Sequence, residues 1–309
     1  MNAFSVTFGN VLLTLLYLSA GFLLSRAKLV KAAHISSVSA ILLYLCGPCM
    51  FIGAIMEQDV SADLNRAMFW FFLVVLAAQL LFMLLIWLLL GKRRKTFSGR
   101  MASIASVMGN AGFFGLPIIR SLFPDVPEVA AFSCIYCVAM NILAWTLGIF
   151  VLTNDRKYIS LKAAFLNPTV VSVAFALVLY LLKAKSWMPD LLQSGIRSVG
   201  GISTPLCMIL LGVRLSAMKA STLFTRKVAW FTIMSKMVVF PLFSYLLVLF
   251  LPLSDVFKGS ILILGATPCA SVILNLSEIH QSGRELAADC TLLSTLLSIA
   301  TIPLLSLLL

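Results

Sequence analysis

Charge is scarce in this sequence, and acidic charge scarcest of all. Eleven Asp and Glu stand against 23 Lys and Arg in 309 residues, and only 11% of positions are charged. A soluble domain carries about 25% charged residues. With 61% hydrophobic residues and a mean hydropathy of +1.07, there is more apolar surface than a globule of this size can bury. Lipid must be the solvent for much of the chain. Histidine is nearly missing: His34 and His280 are the only two, both near predicted helix ends. No His-Glu-x-x-His, Gly-x-Ser-x-Gly or nucleotide-binding motif occurs, which counts against an intramembrane enzyme and a self-contained ATP-driven pump. No cofactor and no metal is expected. No aspartate or glutamate falls deep in an apolar run, so neither a proton relay nor a sodium ligand stands out.

The net charge of +12 would suggest nucleic acid in a soluble protein. Here the basic residues sit in short loops between apolar runs, where they are topology signals, and no nucleic-acid partner is expected. No basic residue precedes the first apolar run, whereas Arg26, Lys28 and Lys31 follow it. That is the wrong polarity for a cleaved signal peptide, so the first segment is expected to stay, with its N-terminus outside. The seven cysteines all lie in apolar segments. Cys46-x-x-Cys49 and Cys134-x-x-Cys137 have metal-like spacing, but no histidine is near, and they read as small hydrophobes.

About 20 apolar residues cross a hydrocarbon core. Candidate spans are 4–24, 34–56, 67–90, 101–122, 129–152, 166–183, 190–213, 228–251, 258–277 and 288–309. Alternate loops hold sixteen and six Lys or Arg. This bias places loops 25–33, 91–100, 153–165, 214–227 and 278–287 in the cytoplasm and both termini outside a cytoplasmic membrane. Shifting the chain by 157 residues lays span 67–90 on 224–247 and span 129–152 on 286–309, and pairs Pro48 with Pro205. The expected fold is therefore an all-α polytopic membrane protein of ten transmembrane helices. They form two inverted five-helix repeats, residues 1–152 and 158–309, an architecture typical of carriers.

The fourth span reads Gly109-Asn110-Ala111-Gly112-Phe113-Phe114-Gly115-Leu116-Pro117, and the ninth Gly265-Ala266-Thr267-Pro268-Cys269-Ala270-Ser271. Glycine costs a helix about 1 kcal/mol and proline about 3. Both spans are expected to break at matching positions near mid-membrane. Each break exposes the N–H groups and partial positive charge of a half-helix N-terminus, and two such ends converging on the midplane suit an anion. Candidate substrate-binding residues are Asn110, Gly112, Phe113, Gly115, Pro117, Thr267, Pro268, Ser271 and Asn275. Lys236 and Asn141 join them. Lys236 sits deep in its span, for function or by snorkelling to the headgroups; Gln79 occupies the matching place in the third span. Asn141 either binds substrate or bonds a neighbouring helix. Arg197 reads as an interfacial snorkeller, Pro48 and Pro205 as kinks, and Glu285 and Asp289 as helix N-terminal stabilisers.

Ten spans with both ends outside, the Asn110–Pro117 break, the Thr267-Pro268 break followed by Asn275, and Asn167-Pro168 opening the sixth span resemble the auxin efflux carrier family. Its bacterial malonate or malate permeases are the nearest in look, and the fold is similar to that of bile acid:sodium symporters. The resemblance implies a scaffold of spans one, two, six and seven, and a transport unit of spans three to five and eight to ten. It implies a small organic anion (a mono- or dicarboxylate) as substrate, an elevator-like movement, and a homodimer through the scaffold. A proton is the candidate coupling ion. The chain lacks the plant members' long loop between spans five and six. It has Asn110-Ala111-Gly112 where they have Asn-Pro-Asn, which favours small carboxylates over indole acids.

Overall fold

The computed structural model describes residues 2–216, 226–279 and 283–309. Lys219 of the basic loops and His280 lie outside the described residues. Among the described residues, eight helices are long and apolar enough to cross a membrane. They are α1 (Ala3–Arg26), α2 (Ile35–Met56), α3 (Ala62–Leu89), α6 (Glu128–Thr153), α7 (Pro168–Leu181, within the apolar stretch Arg156–Leu181), α8 (Asp190–Ser216), α9 (Lys227–Leu249) and α12 (Arg284–Leu305). The expected spans at 101–122 and 258–277 are instead pairs of shorter helices. The first pair is α4 (Phe97–Ala105) and α5 (Ala111–Leu122), the second α10 (Asp255–Gly265) and α11 (Val272–Ile279).

Polar caps decide where several helices start. Ser61 accepts from the Leu64 amide, with Asp63 in the first turn, and so α3 begins five residues before the apolar run does. Asn167 caps α7 through the Val170 amide, and Pro168 takes the first helical position, where its missing N–H costs nothing. Inside the membrane, proline acts differently. Each of the π-turns Leu42–Cys46, Ala111–Gly115 and Ser235–Val239 immediately precedes a helical segment that opens with a proline, Pro48, Pro117 or Pro241. One extra residue per turn lets a carbonyl find the amide five residues on, as in Gly47 to Leu42, Gly115 to Asn110 and Phe240 to Ser235. Pro205 likewise follows a local interruption of α8 at Ile202.

Both ends of the chain reach the same face, where the Thr7 and Ser306 hydroxyls lie 3.1 Å apart and buried. The basic segments Gly91–Lys95 and Arg156–Tyr158 lie at the other. Phe71 of α3, Phe132 of α6 and Phe257 of α10 pack as an aromatic triad, with centroids 4.5, 5.0 and 5.6 Å apart. Near the basic face, Arg226 pairs with Glu285 and, at 3.3 Å, with Asp289. Asp289 is buried, and it ties α9 to α12 rather than merely starting a helix. Leu16, Trp70, Leu88 and Phe175 are among the large apolar side chains left exposed, as a lipid-facing perimeter requires.

α1 and α8 approach closely enough that only glycine fits between them. A Cβ on Gly21 would lie 2.0 Å from the Ile209 carbonyl oxygen, and one on Gly212 would lie 1.9 Å from that of Leu18. Small residues let membrane helices reach backbone contact, where dispersion replaces the missing hydrophobic drive. Gly212→Val should therefore destabilise the protein by about 3 kcal/mol, read as a lower melting temperature in detergent. Gly9→Ala, at a position with no atom within 4 Å, should leave melting unchanged.

Candidate functional site

The backbone of the two interrupted helices is satisfied largely by pairing across the break. Gly109 and Cys269 form an isolated antiparallel bridge. The Asn110 amide donates to the Pro268 carbonyl at 2.8 Å, and the Ala270 amide to that of Met108 at 3.0 Å. Side chains supply further partners. The Ser294 hydroxyl accepts from the Cys269 amide at 2.9 Å, and the Ser133 hydroxyl donates to the Ala111 carbonyl at 2.8 Å. Each of these groups left bare in a membrane interior would cost several kcal/mol.

Lys236 completes this arrangement. It is fully buried in the π-turn of α9, and its Nζ donates to the carbonyls of Gly265 at 2.5 Å and Thr267 at 2.8 Å. These are carbonyls at the C-terminal end of α10, where the helix dipole is negative. Lys236 therefore does not snorkel. A Cβ on Gly109 would stand 2.6 Å from Thr267 Oγ1 and 3.1 Å from Lys236 Nζ, so glycine is required where the chains cross.

Six of the candidate residues meet around one cavity of about 80 Å³ beside this crossing: Asn110, Gly112, Phe113, Asn141, Ser271 and Asn275. Asn141 spends its amide on the Cys137 carbonyl at 2.8 Å, and among the described residues its oxygen is not so engaged. The Gly112 and Phe113 amides belong to the first turn of α5, and those of Ser271 and Val272 open α11; such amides lack intrahelical acceptors. The other five are placed differently. Gly115, Thr267, Pro268 and Lys236 build the crossing itself, Thr267 Oγ1 donating to Leu264 at 2.7 Å. Pro117 faces a separate cavity of about 370 Å³ at the terminal face, with Arg120 and Arg197.

Two further cavities adjoin the crossing on the basic-loop side. One of about 70 Å³ shares Phe113, Ser271 and Asn275 with the crossing cavity. It also shares Ser39, Arg214 and Asn275 with a vestibule of about 560 Å³. The terminal-face cavity has no lining residue in common with the crossing cavity. There, Arg120 of α5 pairs with Glu57 at the end of α2 at 2.8 Å, and the Ser121 hydroxyl donates to Asn10 at 3.1 Å. Sequence reasoning missed Thr169, Cys207 and Arg214. Asn167-Pro168 marks the helix start that carries Thr169, and Arg214 counts in sequence only as a loop charge.

Replacing Lys236 by Met should strip two buried carbonyls of their donor and lower stability by about 3 kcal/mol, measured as thermal unfolding in detergent. Asn110→Ala, which removes no backbone partner, should melt within about 1 kcal/mol of the unaltered protein.

A sequence profile described as membrane transport protein matches residues 6–306, nearly the whole chain. A protein named "Uncharacterized transporter MJ1031" from Methanocaldococcus jannaschii is 23% identical over 307 residues, covering 95% of this chain and 96% of its own length. With a profile match of that extent over a chain of apolar helices, this protein belongs to the membrane transport protein family, that of the auxin efflux carriers.

Proposed function

We propose that this protein is a secondary active transporter that moves a small organic anion, a mono- or dicarboxylate such as malonate or malate, by elevator-like alternating access. The observation that carries the reading is the small cavity at the paired breaks, where the polar side chains of Asn110, Asn141, Ser271 and Asn275 interrupt an otherwise apolar wall next to two half-helix starts. Amides and amide side chains there offer donors to a carboxylate without a fixed counter-charge, which permits release as well as binding. Family membership supports a transporter as such. The substrate class rests on the site's donors and on the resemblance to bacterial permeases.

The further parts of the reading belong together. Residues 1–152 and 158–309 are the two inverted repeats. Spans three to five and eight to ten move as a transport unit against a scaffold of spans one, two, six and seven, which also forms the dimer. The basic-loop face is cytoplasmic, so the vestibule makes this an inward-open arrangement. A proton is the proposed coupling ion.

Radiolabelled malonate counterflow in proteoliposomes tests this directly. The purified protein should exchange malonate saturably and respond to a pH gradient but not to sodium. Asn110→Ala and Asn275→Ala should each cut exchange at least about tenfold without lowering the melting temperature. Silence across a panel of small carboxylates would sink the substrate class, and unchanged exchange in both variants would sink the site.

A further inference from the structure

Arg214 has a position that neither the topology rule nor the crossing explains. It lies near the end of α8, half-buried, in the wall of both the vestibule and the smaller cavity that leads to the crossing. Among the described residues its guanidinium makes no ion pair or hydrogen bond. Glu278 shares the vestibule wall without pairing to it, and Arg284 adds a second positive charge there. Neither 217–225 nor 280–282 contains an acidic residue that could neutralise it. A cation at a helix C-terminus is ordinary, but Arg214 bonds none of the described carbonyls at that end. An arginine with five donors in a cavity wall, without a counter-ion, is built to receive one.

Its neighbours give that counter-ion a location. Ser271 and Asn275 line the same cavity as Arg214. Cys207, two turns earlier on the same face of α8, lines that cavity too. Arg214 is also held in place. Two residues before it, Gly212 is pressed against the α1 backbone with no room for a Cβ. Asn110, Ser271 and Asn275, by contrast, belong to the interrupted helices.

We propose that Arg214 is the charge-selecting residue of the basic-loop mouth. It pairs with the anionic group of the substrate while the crossing cavity opens to that face, and loses it when the cavity opens to the other. The inference rests on the carrier reading above and adds to it a sidedness: Arg214 lines the cavity that adjoins the crossing, whereas Arg120 and Arg197 line a terminal-face cavity that shares no residue with it.

Radiolabelled malonate uptake into inside-out and right-side-out membrane vesicles, each with unaltered protein and with Arg214→Gln, distinguishes the outcomes. Half-saturation from the basic-loop face should rise about tenfold in Arg214→Gln, the worth of one charge-assisted pair. From the terminal face it should stay within about twofold of the unaltered value. Arg214→Lys should keep most of the affinity, and malonate should raise the melting temperature of the purified Arg214→Gln protein less than that of the unaltered one. Unaltered-protein uptake with equal shifts on both faces, or with none, overturns this proposal alone. Absence of both uptake and thermal response to malonate, lactate and succinate in the unaltered protein overturns the carrier reading and this proposal with it.

Discussion

An unwound backbone in the middle of a membrane has nowhere to send its hydrogen bonds except into protein, and this constraint organises the rest of the molecule. The Gly109–Cys269 bridge answers it by letting each break satisfy the other. That pairing imposes its own conditions. The Thr267 hydroxyl and the Lys236 ammonium fill the space beside Gly109, where a Cβ would displace them. The carbonyls at the end of α10 must find donors, so Lys236 is buried where a charge would otherwise be expensive. Ser133 and Ser294 complete the count from α6 and α12. The site cavity is then what remains on the side of the crossing where the new helices begin.

Lys236 shows why buried charge and substrate binding should be kept apart. A lysine at mid-span invites a substrate role, yet two of its three donors are spent on main-chain carbonyls, and the ring of Phe240 lies 5.2 Å away. Its positive charge is balanced by the dipole end it caps. Gln79, the matching position in the proposed repeat, is equally buried and lies beside Tyr136. Yet among the described residues the Gln79 amide meets no backbone carbonyl, so the two corresponding places do different work.

Much of this was readable from residue order. The breaks were legible because clustered Gly and Pro act on the backbone itself, whatever the surroundings. Asn110, Asn275 and Ser271 followed, being the polar residues nearest the breaks. The direction in which side chains point was less legible. The π-turn at Ala111–Gly115 adds a residue within one turn, rotating everything after it by about 100°. Pro117 thus faces the opposite cavity. The role of Lys236 was hidden because its acceptors are carbonyls, which no residue type announces. Arg214 was hidden because α8 runs on to Ser216, so that a residue counted as loop belongs to a cavity wall.

The two faces of the molecule differ in kind. At the terminal face, α5 is tied to α2 by Arg120 and Glu57 and to α1 by Ser121 and Asn10. The ion pair is partly exposed, so it contributes on the order of 1 kcal/mol or less. A tie that weak would not prevent the movement proposed above. At the basic-loop face the vestibule contains charges that do not pair with one another, namely Arg214, Arg284 and Glu278. An excess of positive charge in a cavity mouth attracts anions. The interrupted helix α5 is thus tied to its neighbours at the terminal face, while the cavity that adjoins the crossing at the basic-loop face keeps a cation unpaired among the described residues, Arg214, in its wall.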